Sequence, residues 1–175
     1  MPAIRHITRG LIDGSLSSLG IVLGASISGD PKIMVAAGLG GGIANSLSNI
    51  LSAFTAERAE VIIMLAKYEK AMVDPEIDLK DTKIYEKEKR RIQRGGFLDG
   101  TASFFGAMLP LLPFAFFGVK DGLFAAAILT ICMLFFLGLY LGRMAKENLI
   151  VSGAKMALFG VVTALLASSL EYFFR

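Results

Sequence analysis

Apolar positions in this chain gather into long blocks rather than alternating with polar ones. Five blocks, at about 10–29, 32–55, 97–117, 122–142 and 149–172, approach or exceed the ~20 residues that a helix needs to cross roughly 30 Å of hydrocarbon. The first two are rich in Gly and Ser (GSLSSLGIVLGASISG, then AAGLGGGIANSLSNILSA), which lowers their hydropathy but lets helix backbones come close inside a bundle. The last three are greasier, with FFGAMLPLLPFAFF and AAAILTICMLFFLGLYLG facing lipid at least in part. Turn chemistry at Gly29-Asp30-Pro31-Lys32 and at Gly118-Val119-Lys120-Asp121-Gly122 keeps the connections tight.

Between the second and third blocks the pattern changes. From Ala56 to Arg94 about half the residues are charged, whereas Leu123 to Tyr140 contains no charge at all; segregation on this scale marks a bilayer boundary. Thr55 to Met72 continues the helical spacing of the second block, through Val61, Ile62, Leu65 and Met72. Asp74-Pro75 breaks it, and a second helix near Leu79 to Gln93 is expected to stop at Gly95-Gly96. The expected fold is therefore an all-α integral membrane protein with five transmembrane helices and a cytoplasmic helical hairpin between helices 2 and 3. Residues 1–55 hold helices 1 and 2, 56–95 the hairpin and 96–175 helices 3 to 5, as one membrane domain with an insertion.

Charge sets the expected orientation. Arg5, Arg9, the basic residues from Arg58 to Arg94, Arg143, Lys146 and Lys155 fall on one side, against Lys32, Lys120 and Arg175 on the other. The positive-inside rule then places the amino terminus and the hairpin in the cytoplasm and the carboxyl terminus outside, in the cell membrane of a prokaryote. The net charge of +3 needs no nucleic-acid partner, because the excess lies where juxtamembrane residues meet anionic headgroups. The single cysteine, Cys132, excludes a disulfide framework and a thiolate metal cage, and reads as a lipid-facing or filler residue. The first apolar block carries an Asp at its head and no cleavage pattern comes after it, so it is expected to remain in the mature protein.

The first and third spans open alike. Asp13-Gly14-Ser15-Leu16-Ser17-Ser18-Leu19-Gly20 and Asp99-Gly100-Thr101-Ala102-Ser103-Phe104-Phe105-Gly106 share D-G-[ST]-x-S-x-x-G, which implies a parallel repeat of two-helix units with a fifth helix added. Asp13 is the sharpest signal, since a carboxylate within a span costs roughly 2.5–3.5 kcal/mol when central and defaults to function. The competing reading of Asp13 and Asp99 is that both cap helix starts. Asn45 and Asn49 lie four apart on one face, in line with Gly38 and Gly42, and their amide oxygens can join Asp13 in coordinating a hard cation or can simply bond between helices. Met108 offers a thioether or fills space. Glu57 and Glu60, three apart, can share a metal ion or be ordinary solvated charges. His6 reads as interfacial. With one His and one Cys, and no Walker loop, dinucleotide fingerprint, Ser-His-Asp set or H-E-x-x-H, an enzyme is the weaker class.

These residues resemble the vacuolar iron transporter family of small five-helix proteins. The resemblance lies in Asp13-Gly14 and the small residues after it, Ala37-Gly38-Leu39 through Ser46-Leu47-Ser48, and Gly106-Ala107-Met108-Leu109-Pro110-Leu111-Leu112-Pro113-Phe114, with its Pro-Leu-Leu-Pro. Gly153 through Gly160 completes it. It implies export of a divalent metal cation, Fe2+ or Mn2+, from the cytosol in exchange for protons, with no permanently bound cofactor. It also implies a homodimer whose path runs between paired first helices, brought close by Gly10, Gly14 and Ser18 and by Gly20, Gly24 and Ser28. Asp13 matches the family's membrane carboxylate, and Glu57 and Glu60 match its cytoplasmic metal ligands loosely. Where the family has a Met and, eight residues earlier, a Glu in the second span, this chain has Asn49 and Gly41. The alternatives are a non-transporting scaffold or sensor of the same fold, or a transporter of another cation or a small solute.

Overall fold

The computed structural model describes residues 2–71 and 83–174, and every element among them is helical. Five helices are long and apolar enough to cross a membrane: Ala3–Ser28, Pro31–Tyr68, Tyr85–Ala115, Val119–Ala145 and Leu149–Leu170. The expected break at Asp74-Pro75 and the start of the second hairpin helix at Leu79 lie outside the described residues.

Helix α1 (Pro2–Ala25) begins well before the apolar block does, because the turn carrying Arg5, His6 and Arg9 packs on a neighbouring helix. It closes through a short 3-10 turn, Ser26–Ser28, and Gly29 follows with φ of 65°, a conformation that glycine reaches without strain. Asp30 then caps α2 (Pro31–Ser52), its Oδ1 accepting the Lys32 N–H at 2.8 Å, and Pro31 stands at the first helical position where its missing N–H costs nothing.

One wide π-helical turn, Ala53–Glu57, joins α2 to α3 (Arg58–Ala71) without a break. At 1.5 Å per residue the run Pro31–Tyr68 extends about 57 Å, nearly twice the thickness of a bilayer's hydrocarbon core.

Helix α4 (Lys83–Met108) corrects one expectation. Gly95-Gly96 does not stop a helix; both lie inside α4, buried. A Cβ on Gly95 would come within 2.7 Å of His6 Nε2, and one on Gly96 within 2.5 Å of the Ala53 Cβ. The pair is where α1 and the π turn press against α4, a use of glycine that looks like a stop signal in the local sequence. Beyond Met108 the chain tightens into a 3-10 segment, Leu109–Ala115, because Pro110 and Pro113 lack the N–H groups an α-helix would need.

Helices α5 (Val119–Ala145) and α6 (Leu149–Phe174) form a hairpin turned at Lys146 (φ 57°), with Asn148 Oδ1 accepting from the N–H groups of Ile150 and Val151. Gly122, Ala126, Thr130, Leu134, Gly138 and Gly142 make a buried stripe at four-residue spacing on α5, and Gly138 and Gly142 meet Ser152 and Gly153 of α6. The opposite face of α6 is apolar and exposed, and Cys132 on α5 is exposed as a lipid-facing residue would be.

Helix α1 is the hub, touching α2, α4, α5 and α6. Leu19 and Leu23 pack with Ala126 and Ala167, and Val22 with Met34 and Leu111. Helices α1 and α4 run parallel, His6 opposite Gly95 and Leu11 opposite Gly106. A side chain on Gly10 or Gly14 would collide with the α4 backbone at Asp99 and Ser103, and Ser18 is fully buried. The Gly10, Gly14, Ser18 stripe is thus used within the chain and cannot receive a partner's first helix, contrary to expectation. Of the second stripe, Gly24 has open space around it.

Candidate functional site

Asp13 lies about three turns inside α1 and Asp99 more than four turns inside α4, so neither caps a helix start. Their environments differ despite the repeated motif that carries them. Asp13 is half-buried, and its Oδ2 accepts two amide hydrogen bonds from α2, from Asn45 Nδ2 at 3.0 Å and Asn49 Nδ2 at 2.8 Å. Asn45 Nδ2 also reaches Ser103 Oγ of α4 at 3.1 Å and Ser17 Oγ at 3.4 Å. Two helices thus meet on one carboxylate, with Asn45 linking it onward to α4, and the four-residue spacing of the asparagines is what puts both on it. Ser46, beside them, donates to the Gly100 carbonyl at 2.7 Å and ties α2 to α4.

Asp99 is 1% exposed and ion-paired with Arg9, whose Nε donates to Oδ2 at 2.9 Å and whose Nη2 makes a second, shorter contact to the same oxygen. Its Oδ1 is buried with no hydrogen-bond partner among the described residues. The guanidinium supplies, from inside the fold, the positive charge that a buried carboxylate requires.

Both carboxylates line one cleft of about 940 Å3. Arg5, His6, Arg9, Ile12, Asp13 and Leu16 come to it from α1. Asn49, Ser52 and Ala53 come from α2 and the π turn, Glu60 from α3, and Glu88 from α4. The π turn begins one helical turn past Asn49, and its Ala53 and Ala56 line the cleft, a frequent position of such turns near functional sites.

Of the residues singled out in the sequence, Asp13, Asn45 and Asn49 come together, and Glu60 and Asp99 line the same cleft. The side chain of Glu57 lies outside the described residues. Met108 is exposed at the far end of α4 and does not line the cleft. His6, read in the sequence as interfacial, is 4% exposed and wedged against Gly95, with Nδ1 unpartnered among the described residues. Sequence reasoning missed Arg9 and Glu88 as cleft residues. The hint for Arg9 was a cation one helical turn before Asp13, on the same stretch of helix. Among the described residues no three His, Cys, Asp or Glu side chains converge as a ready-made metal cage.

Position 49 also bears on one departure from the family pattern. Asn49 bonds directly to Asp13, so a longer thioether there would still abut the carboxylate. Gly41 is filled from the other side, by the Ile21 side chain of α1.

Fold and site define a bundle of five helices able to span a membrane, with a cleft among the helices that Asp13, Glu60, Glu88 and Asp99 line. Residues 55–171 match the VIT family, and the chain belongs to that family. It is also similar to the uncharacterized protein MJ0645 of Methanocaldococcus jannaschii, 47% identical over 167 residues that cover 95% of this chain and 87% of that protein.

Proposed function

We propose that this chain is a divalent metal cation transporter that exports Fe2+ or Mn2+ from the cytosol in exchange for protons, and is not an enzyme. The observation that carries the reading is Asp13, a carboxylate inside a membrane-length helix, held by two amides at the side of an open cleft with further carboxylates at its mouth. A charge in that position is costly and needs a reason, and a cation path supplies one. Family membership supports the same reading.

In this scheme the chain is integral to the membrane in three parts: 1–55, a cytoplasmic hairpin at 56–95, and 96–175. The amino terminus is inside and the carboxyl terminus outside. Glu60, Glu88 and the Glu57 region gather the cation. Asp13 then receives it as Asn45 and Asn49 turn their amide oxygens inward, an all-oxygen set suited to hard or borderline ions. Among the described residues no three His, Cys, Asp or Glu side chains converge to complete a site within one chain. The path is therefore placed between two copies, each contributing its Asp13 from the cleft face of α1, with Gly24 admitting close approach. Asp99, neutralised by Arg9, positions α1 against α4 in this scheme and is not a ligand.

A second reading has one observation in its favour. Two amides already hold Asp13 Oδ2, and no three-ligand cluster is present among the described residues, as in a scaffold or sensor that keeps the fold without the path. Proteoliposomes loaded with a metal-sensitive dye separate the two. Wild type should take up ferrous and manganous ions and Asp13→Asn, which keeps size and hydrogen bonding, should not. Equal rates would remove Asp13 from the mechanism, and no uptake by folded wild type would leave the scaffold.

A further inference from the structure

A second cavity, of about 760 Å3, shares His6 and Arg91 with the cleft and is lined by the amino-terminal end of α1 and the first half of α4. Lys83, Lys87, Arg90 and Arg94 fall on one face of α4, at spacings of four, three and four residues, and all line the cavity. Arg90 is engaged by Glu86 at 4.0 Å, and Arg91, also at the rim, by Glu88 at 3.1 Å. Lys83, Lys87 and Arg94 make no ion pair among the described residues. Ala3, Gly95 and His6 complete the lining, and His6 is more than nine-tenths buried with Nδ1 unpartnered among the described residues.

The continuation of the same α4 face gives the cavity its direction. Leu98 lies one turn after Arg94 and lines the cavity; Phe97 is 63% exposed, Phe105 61% and Met108 36%. A single unbroken helix face thus passes from cationic to exposed apolar within about 6 Å of axial rise, the step from headgroup to hydrocarbon. Phe105 lies roughly 16 Å below Arg94, a depth that suits an acyl chain.

We infer that this cavity is a binding site for an anionic glycerophospholipid. Its phosphate is held by Lys87 and Arg94 with His6 in the lining, and its acyl chain lies along Leu98, Phe97 and Phe105. The complementarity is of charge above and apolar surface below, joined at one place, which a soluble anion would use only in part. The inference rests on the membrane placement of α4 given under the proposed function and not on transport. Bound there, the lipid would hold the His6–Gly95 contact between α1 and α4 at the edge of the metal cleft.

Native mass spectrometry of the full chain, released from detergent with equal amounts of dioleoyl-phosphatidylglycerol and dioleoyl-phosphatidylcholine, tests it without any transport measurement. Wild type should retain the anionic lipid preferentially. Lys87→Gln with Arg94→Gln should lose about thirtyfold in retention, roughly fivefold for each cation removed near an anionic group. Arg58→Gln with Lys67→Gln, which removes the same charge from α3, should leave retention unchanged, and Lys87→Arg with Arg94→Lys should preserve it. Equal retention of the two lipids by wild type would overturn the site. So would equal losses in the two charge-removing doubles, which would mean a diffuse field rather than a cavity. Displacement of the lipid by millimolar inorganic phosphate would assign the cavity to a free anion and overturn the lipid.

Discussion

Asn49 donates from Nδ2 to Asp13 Oδ2 at 2.8 Å, joining α2 to α1 at a carboxylate oxygen that also accepts from Asn45. An amide at position 49 does two things for the proposed path: it shields the carboxylate when no cation is present, and it offers a hard oxygen when one is. Asn49→Met would exchange that oxygen for a soft thioether of comparable reach. Uptake of Mn2+ by proteoliposomes should fall and that of Co2+ should rise relative to it, since thioethers favour softer and later divalent ions. An unchanged Mn2+ to Co2+ ratio would place Asn49 outside the path.

The Arg9–Asp99 pair makes an asymmetric prediction. Asp99 is buried while the Arg9 side chain is 53% exposed, so the two truncations leave different debris. Arg9→Gln strands a buried carboxylate and should destabilise the chain by about 1–3 kcal/mol. Asp99→Asn leaves a guanidinium that can turn to water, and should cost less. Thermal unfolding in detergent should rank wild type above Asp99→Asn and Asp99→Asn above Arg9→Gln, with the double variant recovering part of the Arg9→Gln loss. Equal losses for the two single variants would mean the pair is not the source of the stability.

Much of this arrangement is legible in the sequence alone. The five apolar helices follow from block length, the turn at Gly29-Asp30 from its residues, and the meeting of Asp13 with Asn45 and Asn49 from one intramembrane charge and a four-residue amide spacing. What escapes depends on partners distant in sequence. Gly95-Gly96 obeys the local rule for a helix stop, and only the arrival of His6 and Ala53 against it explains why the helix continues. Arg9 and Asp99 are 90 residues apart, and no local pattern pairs them. The repeat itself is readable, but not that its two copies take different counter-groups, amides for Asp13 and a guanidinium for Asp99.

Topology is testable on residues within the described helices. With Cys132 replaced, single cysteines at Lys83 and Lys120 sit at opposite ends of the spans. The excess of basic residues on the Lys83 side predicts that an impermeant maleimide labels position 120 in intact cells and position 83 only after lysis. Strong labelling of position 83 from outside would invert the orientation and with it the direction of export.

Two glycines on α1 separate packing within the chain from packing between chains. A methyl group on Gly14 would run into the Ser103 backbone, which belongs to α4 and cannot swing aside as a side-chain tip would. Gly14→Ala should therefore push α1 off α4 and cost about 1–3 kcal/mol, the usual penalty for overpacking a close contact. Gly24 has nothing within 4 Å in the single chain, and alanine is the better helix former by about 0.8–1.0 kcal/mol, so Gly24→Ala should leave a monomer as stable or more so. If a second copy approaches along that part of α1, the same change must disturb the dimer. Light scattering and thermal unfolding in detergent would read the two effects apart: Gly14→Ala lowers the unfolding temperature, whereas Gly24→Ala lowers the dimer fraction while the fold holds. A Gly24→Ala chain that assembles as wild type does would move the interface away from this stretch of α1, and the proposed path between paired first helices would have to be sought elsewhere on the bundle.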